Sequence, residues 1–242
     1  MDNVTAAKLL LNCLDLTSLH DNDTAKSIRD FSELAYTPYG NVAALCVYPR
    51  FITTVKEQHK DLKVATVINF PAGENDVEIL NHEIPTAISL GADELDIVLP
   101  YKSLLSGDEM SVSEYLRQAR KLCGKKIMKV IIESGELSSI NMIKRATSLC
   151  IETEADFVKT STGKTKKSAT PEAANAIMET IKASGKKVGF KASGGIKTFA
   201  DAKSYLVLAS GINGSDWVRS ENFRIGASSL LKDLLITIER GY

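Results

Sequence analysis

Three histidines in 242 residues leave little from which to build a histidine-ligated metal centre. His20, His59 and His82 fall in separate polar or helix-patterned stretches. A metal-dependent hydrolase or aldolase is therefore not expected. Cysteine is equally sparse, and Cys13, Cys46, Cys123 and Cys150 form no CxxC pair. That spacing excludes a disulfide or zinc framework and suits reduced thiols in the cytoplasm. Charge of either sign is not in excess, with 30 Lys+Arg against 30 Asp+Glu. Nothing draws the chain as a whole to nucleic acid or to a membrane surface. Apolar runs are too short to cross a bilayer, and the N-terminus lacks the charged-then-apolar order of a signal peptide. Neither a phosphate-loop consensus nor a dinucleotide fingerprint occurs, so no cofactor is suggested.

What the chain does have is repetition of element type. Apolar runs bounded by turn residues occur at 13–17, 43–48, 63–70, 94–99, 126–133, 156–162, 187–192 and 222–226. Between most of them lie segments of helical spacing at 24–36, 52–60, 76–90, 111–123, 138–152, 171–184 and 199–209, while 210–221 reads as loop or a short helix. Thr170-Pro171-Glu172 marks a helix start, with a cap, a first-turn proline and an acid at the positive dipole end. Pro85 conflicts with its surroundings and should kink or divide the helix 76–90. No linker or low-complexity segment intervenes. Strand then helix, eight times over, predicts an α/β protein: one closed (β/α)8 barrel of the TIM type spanning 1–242.

Two lysines sit where a buried strand should hold none. Lys159 ends the run Phe157-Val158-Lys159, and Lys191 lies in Gly189-Phe190-Lys191. Alternation along a strand sends successive side chains to opposite faces. The apolar faces, such as Leu95, Ile97 and Leu99, suit helix packing. The polar faces then point inward and gather Asp15, Asp96, Lys129, Glu133, Lys159 and Lys191, with Cys46 in the same set. Lys129 and Glu133 read alternatively as a buried pair near the barrel floor. A desolvated ammonium loses its proton more readily, and a neighbouring cation strengthens the effect. A shift of about three units from the ordinary ~10.4 contributes roughly 4 kcal/mol toward a nucleophilic amine. The pair reads as a Schiff-base nucleophile, Lys159, with an electrostatic partner, Lys191.

Gly194-Gly195 follows the seventh strand and Gly226-Ala227-Ser228-Ser229 the eighth. Loops at these two places hold phosphate in many barrels of this type, through backbone N–H groups and a helix N-terminus. Ser228 and Ser229 add hydroxyl donors and Lys164 adds a cation. A small monophosphorylated substrate follows. The plainer reading of the glycines is tight turns.

The chain resembles the deoxyribose-phosphate aldolases, a family of class I aldolases. The resemblance rests on Leu14-Asp15-Leu16-Thr17, Cys46-Val47-Tyr48-Pro49-Arg50, Asn69-Phe70-Pro71, Gly91 to Val98, Lys129 to Glu133, Ala155 to Gly163, Gly189 to Gly195 and Arg224 to Ser229, in order over nearly the whole length. It implies reversible cleavage of 2-deoxy-D-ribose 5-phosphate to acetaldehyde and D-glyceraldehyde 3-phosphate, without metal or organic cofactor. Lys159 would form the Schiff base, Lys191 would lower its pKa and support proton transfer, and Asp96 would orient or relay a proton through water. Gly194, Gly195, Gly226, Ser228, Ser229 and Lys164 would hold the phosphate. Ala192-Ser193 departs from the Pro-Ala that follows the lysine in a familiar form of the family. One branch uses a C-terminal tyrosine for proton exchange. Tyr242 stands in that place, yet three extended residues span at most about 10–11 Å, so a free terminus is the other reading. A homodimer is the expected assembly. An isomerase or a sugar-phosphate sensor would share the barrel and the phosphate loops but would not need the lysine pair.

Overall fold

The computed structural model describes residues 1–241; Tyr242, and with it the expected tyrosine role, lies outside the described residues. Eight parallel strands close into a barrel: β1 (Leu14–Ser18), β2 (Ala44–Val47), β3 (Val64–Ile68), β4 (Glu94–Val98), β5 (Ile127–Ile131), β6 (Phe157–Lys159), β7 (Gly189–Ser193) and β8 (Phe223–Ala227). The ends meet where β1 pairs with β8, Asp15 lying beside Gly226. All eight strands expected from sequence are present, and the fold is the (β/α)8 barrel.

Ten α-helices complete the described chain: α1 (Asn3–Asn12), α2 (Ala25–Glu33), α3 (Ile52–Gln58), α4 (Val77–Ser89), α5 (Tyr101–Leu105), α6 (Glu109–Cys123), α7 (Ile140–Glu152), α8 (Pro171–Ser184), α9 (Phe199–Asn213) and α10 (Leu230–Arg240). Local chemistry sets their ends. Thr170 caps α8 by accepting the Ala173 N–H, Pro171 opens it, and Gly185 closes it in the left-handed region. At α9, Thr198 and Asp201 form a reciprocal capping box. Of the two outcomes expected at Pro85, a kink or a division, the division does not occur: α4 runs through it as one helix. The proline removes one N–H donor, and the buried face of Leu80, Ile84 and Ala87 holds the helix together across it. α9 continues four residues beyond 209, and a 3-10 turn at Ser215–Trp217 fills part of the remaining interval. The pattern did not show α1, which packs on α9 and α10, nor α5, nor the two-residue ribbon pairing Tyr36–Thr37 with Gly40–Asn41.

Strand parity is carried through to the core. Leu95, Ile97, Met128, Val130, Val158, Phe190, Ala192, Phe223 and Ile225 belong to one large apolar cluster between sheet and helices. Ala44, Cys46, Ala65 and Val67 form a separate small cluster on the inner side. The remaining inward positions carry charge, which positions the site.

Candidate active site

Seven charged side chains fill the barrel interior. They are Asp15 from β1, Glu94 and Asp96 from β4, Lys129 from β5, Lys159 from β6, Lys191 from β7 and Arg224 from β8, all buried. Register places them side by side: Lys159 pairs with Lys191, Lys191 with Arg224, and Asp96 with Lys129. Asp96 is the hub. Its Oδ2 accepts from Lys159 Nζ and from Lys191 Nζ, both at 2.7 Å, and its Oδ1 accepts from Lys129 Nζ at 2.8 Å. Lys191 also donates to Asp15 Oδ2 at 2.5 Å. Deeper in, Lys129 contacts Glu94 at 2.6 Å and Asp15 at 3.4 Å. Arg224 clamps Glu94 with two donors, at 3.1 and 3.2 Å, and reaches Asp15 Oδ1 at 2.5 Å. Its guanidinium also lies over the Phe157 ring.

Four cations face three carboxylates here, so the fully ionised cluster carries one surplus positive charge. The lysines differ in how many carboxylates neutralise them. Among the described residues Lys129 has three carboxylate partners, Lys191 two and Lys159 only Asp96. Their basicities follow that order. Burial disfavours all three ammonium groups, but Asp15, Asp96 and Glu94 outweigh it at Lys129 and hold its pKa well above the ordinary lysine range. Asp15 and Asp96 likewise outweigh it at Lys191, whose pKa is raised. At Lys159 burial wins, aided by the Lys191 charge, and the pKa falls. Burial works against ionisation of Asp15 and Asp96 too, yet the surrounding cations keep both carboxyls well below the usual range. Of the three lysines, Lys159 is therefore the one that gives up its proton most readily.

Of these three lysines, Lys159 is the one that lines an open cavity. That cavity, about 350 Å³, is bordered by Thr17, Leu19, His20, Thr162, Gly163, Lys164, Ser193, the 194–197 segment and the 226–229 segment. It thus brings the expected phosphate residues Lys164, Gly194, Gly195, Gly226, Ser228 and Ser229 to the same opening as Lys159. Gly194 and Gly195 have φ of +90° and +80°, a region where a side chain is strained. Ser229 caps α10 without a side-chain hydrogen bond to the helix, so its hydroxyl is not spent there. Lys164 Nζ donates to the Leu19 carbonyl at 2.7 Å across the mouth. Gly226 has a role that the turn reading did not contain. A Cβ on it would lie 3.0 Å from Lys191 Cε and 3.1 Å from Ser193 Cβ, so its bareness makes room for the lysine stem.

Cys46 lies buried on the inner face of β2, and burial lifts its thiol above the ordinary range. Glu133 is a correction. It follows β5 in the left-handed region (φ +49°), which interrupts the alternation, and its carboxylate binds Thr162 and Thr165 rather than joining Lys129. Glu94 and Arg224 were missed as site residues. The signal existed in parity alone: Glu94 stands two residues before Asp96, and Arg224 two before Gly226. Among the described residues no group of three or more His, Cys, Asp or Glu is arranged to hold a metal ion. No helix among them is long and apolar enough to cross a membrane.

A family model described as DeoC/LacD family aldolase matches residues 9–234. The chain belongs to this family of aldolases. Solved relatives extend the likeness over whole chains. An aldolase named QR15 is 30% identical, covering 94% of this chain and 96% of its own, with a TM-score of 0.79. The deoxyribose phosphate aldolase of Aeropyrum pernix, described as a tetramer, is 25% identical over 100% of this chain and 98% of its own, also at TM-score 0.79. A Toxoplasma gondii ME49 protein, provisionally assigned as a deoxyribose-phosphate aldolase, shares the fold at TM-score 0.90 with 24% identity, covering 98% of each chain. This DeoC/LacD-family barrel is thus an aldolase by family and by fold.

Proposed function

We propose that this aldolase cleaves 2-deoxy-D-ribose 5-phosphate reversibly to acetaldehyde and D-glyceraldehyde 3-phosphate through a Schiff base on Lys159. The observation that carries the reading is the position of Lys159. It is the least-neutralised lysine of the cluster and the one that lines the cavity shared with Lys164, Gly194, Gly195, Ser228 and Ser229. The open-chain aldehyde carbon takes the lone pair of Nζ, and loss of water leaves an iminium. Asp96, bridging both lysines, accepts the C3 hydroxyl proton through a water. The C2–C3 bond then breaks, its electron pair neutralises the iminium as an enamine, and glyceraldehyde 3-phosphate departs. Protonation of the enamine at C2 and hydrolysis of the resulting iminium release acetaldehyde and restore the amine. Lys191 stays cationic throughout, held so by Asp15 and Asp96, and lowers the cost of a free amine beside it. The glycine and serine loops with Lys164 hold the phosphate end.

The test is sodium borohydride reduction in the presence of acetaldehyde, read by intact mass and peptide mapping. The expected result is one reduced two-carbon adduct, located on Lys159. Cleavage of the sugar phosphate without any trapped adduct, or an adduct on another lysine, would overturn the assignment.

A further inference from the structure

We propose that Glu133 is a positioning residue that sets selectivity for a phosphorylated substrate by locking the Thr162–Lys164 loop. This rests on the reading of the 194–195 and 228–229 loops as the phosphate site. Glu133 is buried and does not line the cavity, and the reaction sequence above does not use it. Its backbone holds the left-handed region although it carries a side chain, a conformation that persists only where the surroundings over-determine it. What holds it is the next loop. The Glu133 carboxylate accepts the Thr162 N–H at 3.2 and 3.3 Å, the Thr162 hydroxyl at 2.5 Å and the Thr165 hydroxyl at 3.3 Å. Thr162 Oγ1 in turn accepts the Lys164 N–H at 3.0 Å. The chain of bonds therefore runs from a buried carboxylate to the backbone of the cation at the cavity mouth.

The loop so held is wedged on both sides. On the β5 side, a Cβ at Gly135 would lie 2.2 Å from the Lys167 carbonyl oxygen, so the two backbones are in direct contact. On the β7 side, a Cβ at Gly194 would lie 2.6 Å from Ser168 Cβ, and one at Gly163 3.6 Å from Gly194 Cα. Displacing Thr162 displaces Gly163 and Gly194 together, and both border the cavity. Lys159 is not part of this chain, because its amine is held by Asp96. Loss of the Glu133 contacts should thus loosen anion recognition and leave the amine chemistry in place.

The experiment compares Glu133→Gln with the parent on 2-deoxyribose 5-phosphate and on 2-deoxyribose, with inorganic phosphate as competing anion. Glutamine keeps the size but replaces one of the two oxygens that accept from Thr162 and Thr165 with a donor. The expected result is a roughly tenfold or larger rise in KM for the phosphorylated sugar and in the inhibition constant of phosphate. kcat/KM on 2-deoxyribose should stay within about twofold, and so should borohydride trapping with acetaldehyde. Thr162→Val should raise the same two constants and Thr162→Ser, which keeps the hydroxyl, should not; these two decide the matter if Glu133→Gln does not fold. Equal losses on both sugars, or an unchanged phosphate constant, would overturn the proposal. A parent that cleaves neither sugar would instead sink the functional reading, while phosphate binding by calorimetry would still judge Glu133.

Discussion

Lys159 and Lys191 donate to the same atom, Asp96 Oδ2, each at 2.7 Å. One carboxylate oxygen cannot fully neutralise two ammonium groups, and Lys191 holds the stronger claim because Asp15 supports it as well. Lys191→Leu removes the neighbouring charge and leaves Asp96 Oδ2 to Lys159 alone. Both changes raise the Lys159 pKa. The acid limb of the kcat/KM profile for acetaldehyde-forming cleavage should move up by about one unit or more. Lys191→Arg keeps the charge but not the compact ammonium, so it should restore only part of the parent profile.

Stability should respond to Lys159 in the opposite sense from a salt bridge. Its folded pKa lies below the unfolded value near ~10.4, so the unfolded chain binds more protons between those two pKa values. The parent therefore gains stability as pH rises through that window. Lys159→Leu removes the burden and should equal or exceed the parent in Tm at neutral pH while having no turnover. The gap should close above about pH 10.4. Thermal melts of both proteins from pH 7 to 11 measure this directly, and a parallel pair of curves would contradict it.

Ser229→Asp separates ligand binding from folding. Ser229 is the cap residue of α10 and uses no side-chain bond there. An aspartate suits that position, so Tm should hold or rise slightly. At the cavity, however, the added charge repels a phosphate. KM for the phosphorylated sugar should rise by about tenfold or more with little change on 2-deoxyribose. Steady-state kinetics on the two sugars provides the measurement.

Gly226→Ala tests the room left for the Lys191 stem. The backbone at Gly226 is not left-handed, so alanine is conformationally acceptable, but its methyl would press on Lys191 Cε at 3.0 Å. Overpacking of this kind costs about 1–3 kcal/mol and here displaces Lys191 from Asp96. kcat should fall on phosphorylated and unphosphorylated sugars alike. A loss confined to the phosphorylated sugar would assign Gly226 to the anion instead.

The barrel was legible because period-two alternation and strand–helix recurrence are local signals. That same alternation placed Asp15, Asp96, Lys129, Lys159 and Lys191 inward. What it did not reveal has particular causes. Arg224 and Glu94 are 130 residues apart, and nothing in either neighbourhood announces the other. Glu133 looked inward because parity was carried past the strand end, where a left-handed residue breaks it. α1 escaped because its Leu9-Leu10-Leu11 run has little one-sided spacing. Pro85 does not divide α4 because the packing of its buried face outweighs one lost donor.

Arg224 meets Asp15 across 209 residues of chain, at the seam where the last strand docks on the first. During synthesis, every other charged member of the cluster is made before Arg224 arrives. A nascent chain lacking β8 would leave Asp15 and Glu94 without their guanidinium partner and the β8-facing edge of β1 unpaired. The final strand thus supplies the last charge of the interior and the last rung of the ring in one step. Closure of the sheet and neutralisation of its oldest buried carboxylate are the same folding event.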